Sequence, residues 1–382
     1  MRIALLGYFG FGNAGDEAIL AAEIAALRSA FAAEAPAGLP VRGSPGEAEP
    51  TFVVISGDPD HTRRTHGVDA VSRTDVRAVL AALRGSDALV AGGGSLLQDV
   101  TSARPVAFYA GTMLAARAVG TPVFVYAQGL GPVRRPVNRA LTGAALRASR
   151  YVALRDADSA ALADRLGVRD VDLVPDPVLG VDLSAGRVPP LGGERPRLAV
   201  ALRAWAGSER WLPAVRSALV ELSADADVVL VPFHAGQDGD LARDLARDLA
   251  HDLDDGVEVV AGRPAGADGH RAALEAVAGA TAVLGMRLHA LIAAAGAGRP
   301  FVALSYDPKV TAFADRVGQP VAATLPGPSA GDAGGEELRE NVVAAVRKAL
   351  QGPDQAYLDR LAVLRADAAR PATVIARSLI GH

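Results

Sequence analysis

The sequence predicts an α/β protein of two domains with a ligand cleft between them. Short apolar runs alternate with Ala- and Leu-rich segments of helical length, a pattern typical of mainly parallel sheets. The chain has 382 residues, which is too many for one ordinary core. The stretch Val181–Pro196 is rich in Gly and Pro, lacks periodicity, and separates two halves of similar alternation. Since loops at strand carboxyl ends face such crevices, a ligand is expected there.

The first half contains six strand candidates. They are Arg2–Gly7, Phe52–Ser56, Ala88–Ala91, Val123–Tyr126, Tyr151–Leu154 and Val171–Val174. The helical segments among them include Asp16–Phe31, Asp75–Leu83 and Val106–Val119. These elements predict an N-terminal domain over residues 1–182.

The alternation restarts after a predicted linker at residues 183–196. The strand candidates of the second half are Leu198–Leu202, Val228–Val231, Val257–Val260, Ala282–Leu284 and Phe301–Leu304. Leu241, Leu245, Leu249 and Leu253 form an i, i+4 stripe that predicts a solvated amphipathic helix. We expect a C-terminal domain over residues 197–350 and a helical segment over residues 351–382.

Composition excludes several classes of protein. The net charge of −4 gives no electrostatic footprint for nucleic acid. The chain has no cysteine, which excludes disulfides, thiolate nucleophiles and cysteine-based metal sites. The apolar run Ile3–Leu6 is too short for a signal peptide, and no apolar stretch reaches the length of a membrane span. We expect a cytoplasmic protein, with contact to the inner face of the cytoplasmic membrane left open.

The loop Gly10–Gly15 matches G-x-G-x-x-G but does not predict dinucleotide binding. That fingerprint needs an acidic residue about 20 positions on, at the end of the second strand. The acidic residue that follows the next strand, Asp58, lies far beyond that distance. Asp16 and Glu17 would also occupy the helix start where a pyrophosphate should bind.

Short polar side chains on this loop suit a sugar instead. Carboxylates and amides bond hydroxyl groups, and the face of a sugar ring packs on an aromatic ring such as Tyr8. A simpler interpretation of Asp16 is a helix cap. Two further glycine-bearing loops follow strands, at Gly92–Asp99 and Gln128–Pro132, where close backbone packing is the alternative. The candidate acceptor residues are Tyr8, Gly10, Asn13, Gly15, Asp16, Gly93, Gly94, Gln98 and Gln128.

Cations follow several strands, which predicts an anion pocket for phosphate and carboxylate. All but two of the 39 basic residues are arginine, so a lysine in a loop is noteworthy. Each arginine alone could form a surface ion pair, and the histidine could be structural. The candidate donor residues are Arg155, Arg203, Arg287, His289 and Lys309. No histidine spacing typical of a metal site and no P-loop motif occurs.

The ordered motifs resemble the polysaccharide pyruvyl transferase family, and within it the CsaB type. The motifs are Gly7-Tyr-Phe-Gly-Phe-Gly-Asn-Ala-Gly-Asp-Glu-Ala18, Gly92-Gly-Gly-Ser-Leu-Leu-Gln-Asp99, Leu154-Arg-Asp156, Pro175-Asp-Pro177 and Gly285-Met-Arg-Leu-His-Ala290. The resemblance extends from Arg2 to about Val321. It implies two Rossmann-like domains, as in the GT-B glycosyltransferases.

The resemblance also implies a reaction. Phosphoenolpyruvate would donate its pyruvyl group to O4 and O6 of a β-N-acetylmannosamine on a lipid-linked cell-wall polysaccharide precursor. The product would anchor proteins with S-layer homology domains. His289 and Lys309 match the family's donor residues, and Arg155 is the candidate for its arginine. His289 would protonate the methylene carbon, and Asp16 or Asp99 would accept a hydroxyl proton.

The resemblance implies no cofactor and no metal, with phosphoenolpyruvate as co-substrate. The partners expected are the donor and the sugar acceptor, and oligomerisation is left open. Two rival functions remain. One is a GT-B glycosyltransferase that uses a nucleotide sugar, and the other is a carbohydrate-binding scaffold without activity.

Overall fold

The computed structural model describes residues 1–34, 49–100, 102, 104–180, 195–205, 207–251, 258–259, 269–325 and 335–381. The chain divides into two compact units. The first unit comprises Met1–Phe11, Asp16–Val181 and Leu364–His382, and the second comprises Gly12–Gly15 and Asp182–Val363. Each unit therefore contains segments that are not contiguous in sequence. Residues 183–194 of the predicted linker lie outside the described residues.

The first unit is built on one parallel sheet. Its strands are β1 (Arg2–Leu6), β2 (Thr51–Ser56), β3 (Asp69–Ser72), β4 (Ala88–Ala91), β5 (Gly94–Leu97), β6 (Val123–Leu130), β7 (Tyr151–Leu154) and β8 (Asp172–Leu173). Their order is β3-β2-β1-β4-β6-β7-β8, and β5 pairs with β6 beyond the end of β4. Strands β1 and β4 are almost wholly buried, as expected when helices cover both faces of a parallel sheet.

The helices alternate with these strands. They are α1 (Ala14–Glu34), α2 (Pro59–His66), α3 (Val76–Arg84), α4 (Arg104–Ala118), α5 (Pro136–Ala148) and α6 (Ala157–Arg165), followed by a 3-10 turn at Pro177–Gly180. Asp58, Asp75 and Asp156 cap α2, α3 and α6 by accepting a backbone N–H, which satisfies a donor that the first helical turn leaves open.

The second unit repeats the design. Its strands are β9 (Arg197–Ala201), β10 (Asp227–Leu230), β11 (Glu258–Val259), β12 (Ala282–Gly285), β13 (Phe301–Ser305) and β14 (Val321–Thr324). Its helices are α7 (Ser208–Leu222), α8 (Ala235–Ala250), α9 (Gly269–Gly279), α10 (Leu288–Gly296), α11 (Pro308–Val317) and α12 (Gly335–Ala349), and α13 (Gln355–Ile380) closes the chain. The parallel order is β11-β10-β9-β12-β13-β14.

The predicted α/β class with two Rossmann-like units is confirmed. All eleven strand candidates are present, with ends that shift by at most one residue except at β6, which runs four residues further than predicted. Leu245 and Leu249 of the predicted leucine stripe are buried on α8, while Leu253 lies outside the described residues.

Three strands escaped the sequence analysis. β3 and β14 are edge strands of four residues whose side chains are mostly half-buried or exposed, and neither has the run of four apolar residues seen in a central strand such as β4. β5 begins at Gly94, within the segment where a loop was expected, and it pairs in parallel with β6. Short edge strands depend on pairing with a formed sheet more than on local propensity. Among the described residues, no helix is both long enough and apolar enough to span a membrane.

The largest side chain in the second core gives a stability test. Trp211 on α7 is fully buried among the apolar residues of that core. Trp211→Ala should lower the free energy of unfolding of this unit by ~3–5 kcal/mol, because it removes buried area and leaves a cavity. Urea unfolding followed by circular dichroism measures the change. The exposed Val76→Ala should change stability by less than ~0.5 kcal/mol.

Candidate functional site

The predicted donor residues of the second unit follow adjacent strands of one sheet. Arg203 follows β9, Arg287 and His289 follow β12, and Lys309 follows β13. The sheet order is β9-β12-β13, and all three strands are parallel. Because the carboxyl ends of parallel strands meet at one edge, the fold brings these four residues to the same edge of the sheet.

Arg203 is a cation that no carboxylate balances within the described residues. Its guanidinium carbon lies 5.2 Å from the ring centre of Trp205 and 4.9 Å from that of Tyr306. Its Nη1 donates to the Tyr306 hydroxyl at 3.0 Å, and its buried Nε makes no hydrogen bond with the described residues. Aromatic faces hold the guanidinium in place without cancelling its charge, which leaves a site suited to an anion.

Arg287, in contrast, is already paired. Its Nε donates to Asp238 at 2.9 Å and its Nη2 donates to the other oxygen of the same carboxylate. Asp238 is buried and also accepts the backbone N–H of His234 at 2.9 Å. This bidentate pair fixes the start of α10, so Arg287 stabilises the structure around the next residues of that helix.

His289 lies on the first turn of α10, against a segment of the glycine loop that belongs to the second unit. A Cβ atom on Gly15 would stand 2.2 Å from the Nδ1 atom of His289. The loop is held by the Ala14 amide, which donates to the Phe233 carbonyl at 3.1 Å, and by Asn13, whose Oδ1 accepts the Gly15 amide at 3.0 Å. Glycine is therefore required at position 15 by the histidine and not by a positive φ angle.

Lys309 sits at the start of α11, beside the residue that caps it. Asp307 accepts the Lys309 amide at 3.1 Å, and the Nζ atom lies 3.4 Å from the same carboxylate. The lysine side chain is 42% exposed. Because an exposed ion pair of this kind is weak, the ammonium group is available to an anionic ligand.

A second histidine at this edge was missed by the sequence analysis. His234 follows β10, the neighbour of β9, and pairs with Asn13 in an isolated antiparallel bridge. Its buried Nδ1 makes no hydrogen bond with the described residues. Burial, and then the charge of Arg287, lower the pKa of His234. Its position directly after an apolar strand was the signal that could have identified it.

In the first unit, the glycine loop is held by a buried carboxylate rather than by a ligand. Gly10 has a φ of 78°, and a Cβ there would stand 2.2 Å from Ser56 Oγ. Its amide donates to Glu17 at 2.8 Å, and His66 Nε2 lies 2.7 Å from the other oxygen of that carboxylate. Burial alone would raise the pKa of Glu17, but the bonds from His66 and Gly10 outweigh it and lower the pKa.

Asp16 and Tyr8 lie near each other at the same strand end. Asp16 is only 8% exposed, and its Oδ1 lies 3.3 Å from where a Cβ on Gly94 would stand. Gly94 also has a φ of 89°, so both the backbone conformation and the nearby Asp16 carboxylate favour glycine at this position. Tyr8 is 41% exposed, and its pKa is raised by partial burial and then by the charge of Asp16. An exposed ring beside a carboxylate is what a sugar needs.

The other two glycines of the loop at residues 92–99 make room for the side chain of Glu23. The carboxylate of Glu23, on α1, lies 2.3 Å from where a Cβ on Gly92 would stand and accepts the Gly93 amide at 2.6 Å. Glu23 is fully buried, and burial raises its pKa to about 8, so it is neutral at pH 7. The lone acid in the apolar run 18–27 was the signal for it. Gln128 is also buried and donates to the Gly92 carbonyl at 3.2 Å.

Three other candidates are occupied within the first unit. Arg155 is buried and donates to Asp176 at 3.2 Å and to Ser95 at 2.9 Å. Gln98 is half-buried and accepts the Val100 amide at 2.9 Å. Asp99 accepts the amides of residues 134 and 135 and the side chain of residue 138. These bonds outweigh burial and lower its pKa, which makes Asp99 a poor base.

The buried pair at Glu17 predicts a pH-dependent loss of stability. A carboxylate whose folded pKa is lowered contributes stability above its unfolded pKa of about 4.3, and loses it as the pH falls through the folded value. Glu17→Gln should therefore cost about 1–3 kcal/mol at pH 7 and progressively less below about pH 4. Urea unfolding across pH measures this. The exposed Glu337→Gln is the control, and a penalty that does not shrink in acid would contradict the assignment.

The fold is similar to those of several solved structures, two of them UDP-GlcNAc 2-epimerases. The UDP-GlcNAc 2-epimerase from Neisseria meningitidis bound to UDP-GlcNAc has a TM-score of 0.61 and 13% identity over 100% of both chains. The UDP-GlcNAc 2-epimerase from Methanocaldococcus jannaschii has a TM-score of 0.60 and 11% identity, also over 100% of both chains. HepE of Anabaena in complex with UDP and glucose has a TM-score of 0.51 and 14% identity over 100% of this chain and 96% of that one. At such identities the likeness shows the fold alone.

The family is shown by the sequence. No curated protein matches the chain as a close relative. The family model described as polysaccharide pyruvyl transferase matches residues 13–308, which is well over half of the chain and includes Arg203, His289 and the start of α11. The chain belongs to the polysaccharide pyruvyl transferase family and is an enzyme of the transferase class.

Proposed function

We propose that phosphoenolpyruvate is the pyruvyl donor and that it binds at the carboxyl edge of the second unit's sheet. The observation that carries this proposal is Arg203, a cation held against two aromatic rings with no carboxylate partner in the described residues. Phosphoenolpyruvate carries a phosphate and a carboxylate, and Arg203 and Lys309 supply two positive charges at the ends of β9 and β13, on either side of β12. Arg287 contributes by holding α10 through Asp238.

His289 is the proposed general acid. It protonates the methylene carbon of phosphoenolpyruvate, which makes C2 electrophilic, and one sugar hydroxyl then adds to C2. The C2–O bond to phosphate breaks, phosphate leaves, and the second hydroxyl closes the ketal. One hydroxyl proton balances the proton given to carbon, and the other leaves with phosphate. Proton transfer from a positioned imidazole contributes about 10²–10⁴-fold to such a rate.

The proposed acceptor is a β-N-acetylmannosamine of a lipid-linked cell-wall polysaccharide precursor, pyruvylated at O4 and O6. Tyr8 and Asp16 in the first unit offer the exposed ring and the carboxylate that a pyranose needs. The product would anchor proteins with S-layer homology domains. Asp16 is the proposed acceptor of a hydroxyl proton, since Asp99 is fully used in hydrogen bonds.

A nucleotide-sugar donor is the second candidate, because the similar folds from Neisseria meningitidis and Anabaena were solved with UDP-GlcNAc and with UDP. Thermal unfolding of the protein with phosphoenolpyruvate, UDP, GDP and NAD separates the two. Stabilisation by phosphoenolpyruvate alone supports the proposal. Stabilisation by a nucleoside diphosphate, without an effect of phosphoenolpyruvate, would indicate that Arg203 belongs to a nucleotide site and would overturn the proposal.

Arg203→Gln should weaken phosphoenolpyruvate binding about tenfold or more, because a charge-assisted hydrogen bond contributes about 1.5–3 kcal/mol. Isothermal titration calorimetry measures the dissociation constant. Arg243→Gln is the matched control, since Arg243 is an exposed arginine of the same unit that pairs with Asp240. Equal affinities of the Arg203 variant and the wild type would remove Arg203 from the donor site.

His289→Ala should lower turnover about 10²-fold or more and leave the dissociation constant of phosphoenolpyruvate nearly unchanged, because a general acid acts in the transition state. Lys309→Ala should have the opposite signature, with weakened donor binding. Release of phosphate in the presence of acceptor gives the rate. Full activity in both variants would mean that this edge of the sheet is not the donor site.

A further inference from the structure

A cluster of aromatic residues in the first unit surrounds another arginine without a carboxylate partner. Arg73 follows β3, and its guanidinium carbon lies 4.2 Å from the ring centre of Phe108, 5.3 Å from that of Phe11 and 5.7 Å from that of Tyr109. Within the described part of the chain, no carboxylate lies at ion-pair distance from it. We call Tyr8, Phe11, Arg73, Phe108 and Tyr109 the aromatic platform.

The loops of neighbouring strands are shaped around this platform. A Cβ on Gly57, after β2, would stand 2.6 Å from the Phe11 ring, so a side chain there would displace the ring. The Arg73 amide donates to the Ser56 carbonyl at 2.9 Å, which fixes the arginine to the end of β2. The backbone of Arg73 is thus anchored to two adjacent strands, and the aromatic rings hold its guanidinium.

The platform extends to the two acceptor candidates of the same unit. The Tyr8 ring stacks on Phe11 with ring centres 4.1 Å apart and planes 10° from parallel, and 41% of Tyr8 remains exposed. The charge of Asp16 contributes to the raised pKa of both Tyr8 and Tyr109, the two tyrosines of the platform. An exposed aromatic ring, a carboxylate and an arginine without an ion-pair partner among the described residues therefore occur in the same region of the first unit.

These three features match the parts of one ligand class. A pyranose stacks on an aromatic face and gives hydroxyl hydrogen bonds to a carboxylate. A neutral sugar gives Arg73 no charged group to bind. The planar guanidinium and its fixed position suit a phosphate. We propose that the aromatic platform binds a glycosyl phosphate, with the sugar on Tyr8 and the phosphate on Arg73.

This inference rests on the proposed function for the choice of sugar, and it adds the anionic group by which the acceptor is recognised. A lipid-linked precursor carries its sugar through phosphate, whereas a finished neutral glycan offers Arg73 no anion. The site would therefore select the phosphate-bearing precursor over the completed polysaccharide.

Binding of three probes tests the inference without any donor present. The probes are N-acetylmannosamine 1-phosphate, methyl N-acetylmannosaminide and inorganic phosphate, each titrated calorimetrically into the full chain. We expect the glycosyl phosphate to bind tightest. Arg73→Gln should weaken binding of the glycosyl phosphate about tenfold or more and change the dissociation constant of the methyl glycoside by less than about twofold. Tyr8→Ala should weaken binding of both sugars.

Two further variants keep the result interpretable. Arg73→Lys retains the charge without the planar group and should fall between the wild type and Arg73→Gln. Arg28→Gln is the matched control, because the Arg28 guanidinium carbon also lies over a phenylalanine ring of this unit, 5.7 Å from the ring centre of Phe52. Phe52 is near the start of β2, whereas Gly57, which contacts the platform, follows the end of that strand. The Arg28→Gln variant should bind all three probes as the wild type does.

Several outcomes would overturn the inference. They are a glycosyl phosphate that binds no better than the methyl glycoside, an Arg73→Gln variant with unchanged affinity, or an equal loss for both sugars, which indicates a structural role. If inorganic phosphate binds as tightly as the glycosyl phosphate, the platform binds an anion and does not recognise the sugar. Failure of phosphoenolpyruvate to stabilise the protein would instead remove the proposed donor and leave this result standing.

Discussion

The parallel arrangement of the two sheets is the constraint on which the rest of the structure depends. In a parallel sheet every strand delivers its following loop to the same edge, so residues far apart in sequence become neighbours. Arg203, His289 and Lys309 follow three adjacent strands of the second unit, and this alone brings them to one edge. In the first unit the same rule brings together the loops after β1 and β3, which carry Tyr8, Phe11 and Arg73 of the aromatic platform, and α4 supplies its other two rings.

Charge balance then separates the arginines that hold the fold from those that can bind a ligand. Arg155 and Arg287 are each neutralised by a buried aspartate, and removal of that aspartate would leave an unpaired charge inside the protein. Arg203 and Arg73 are held by aromatic rings, which fix a guanidinium while leaving its charge uncompensated. The two kinds of contact therefore give the two kinds of arginine different roles.

Local pattern was sufficient for the strands and for the residues that follow them. Buried strands such as β4 are continuous apolar runs, and the loops after them are short, so Arg203 and His289 could be located at strand ends from the sequence. The partners of those residues could not be located. Asp238 lies within a helix 49 positions before Arg287, and nothing in the sequence around either residue indicates their pairing. Arg73 was missed because β3, the edge strand before it, has no apolar run. Pairing of this kind depends on the register of elements, which local propensity does not specify.

The central claim is that the protein transfers a pyruvyl group from phosphoenolpyruvate to a sugar, and one measurement tests it most directly. The purified protein is incubated with phosphoenolpyruvate and a lipid-linked N-acetylmannosamine acceptor, while released phosphate is counted and the acceptor is analysed by mass spectrometry. The account predicts one phosphate for each acceptor that gains a pyruvyl ketal, and neither product with His289→Ala. Consumption of a nucleotide sugar with release of its nucleoside diphosphate, while phosphoenolpyruvate remains intact, would contradict it.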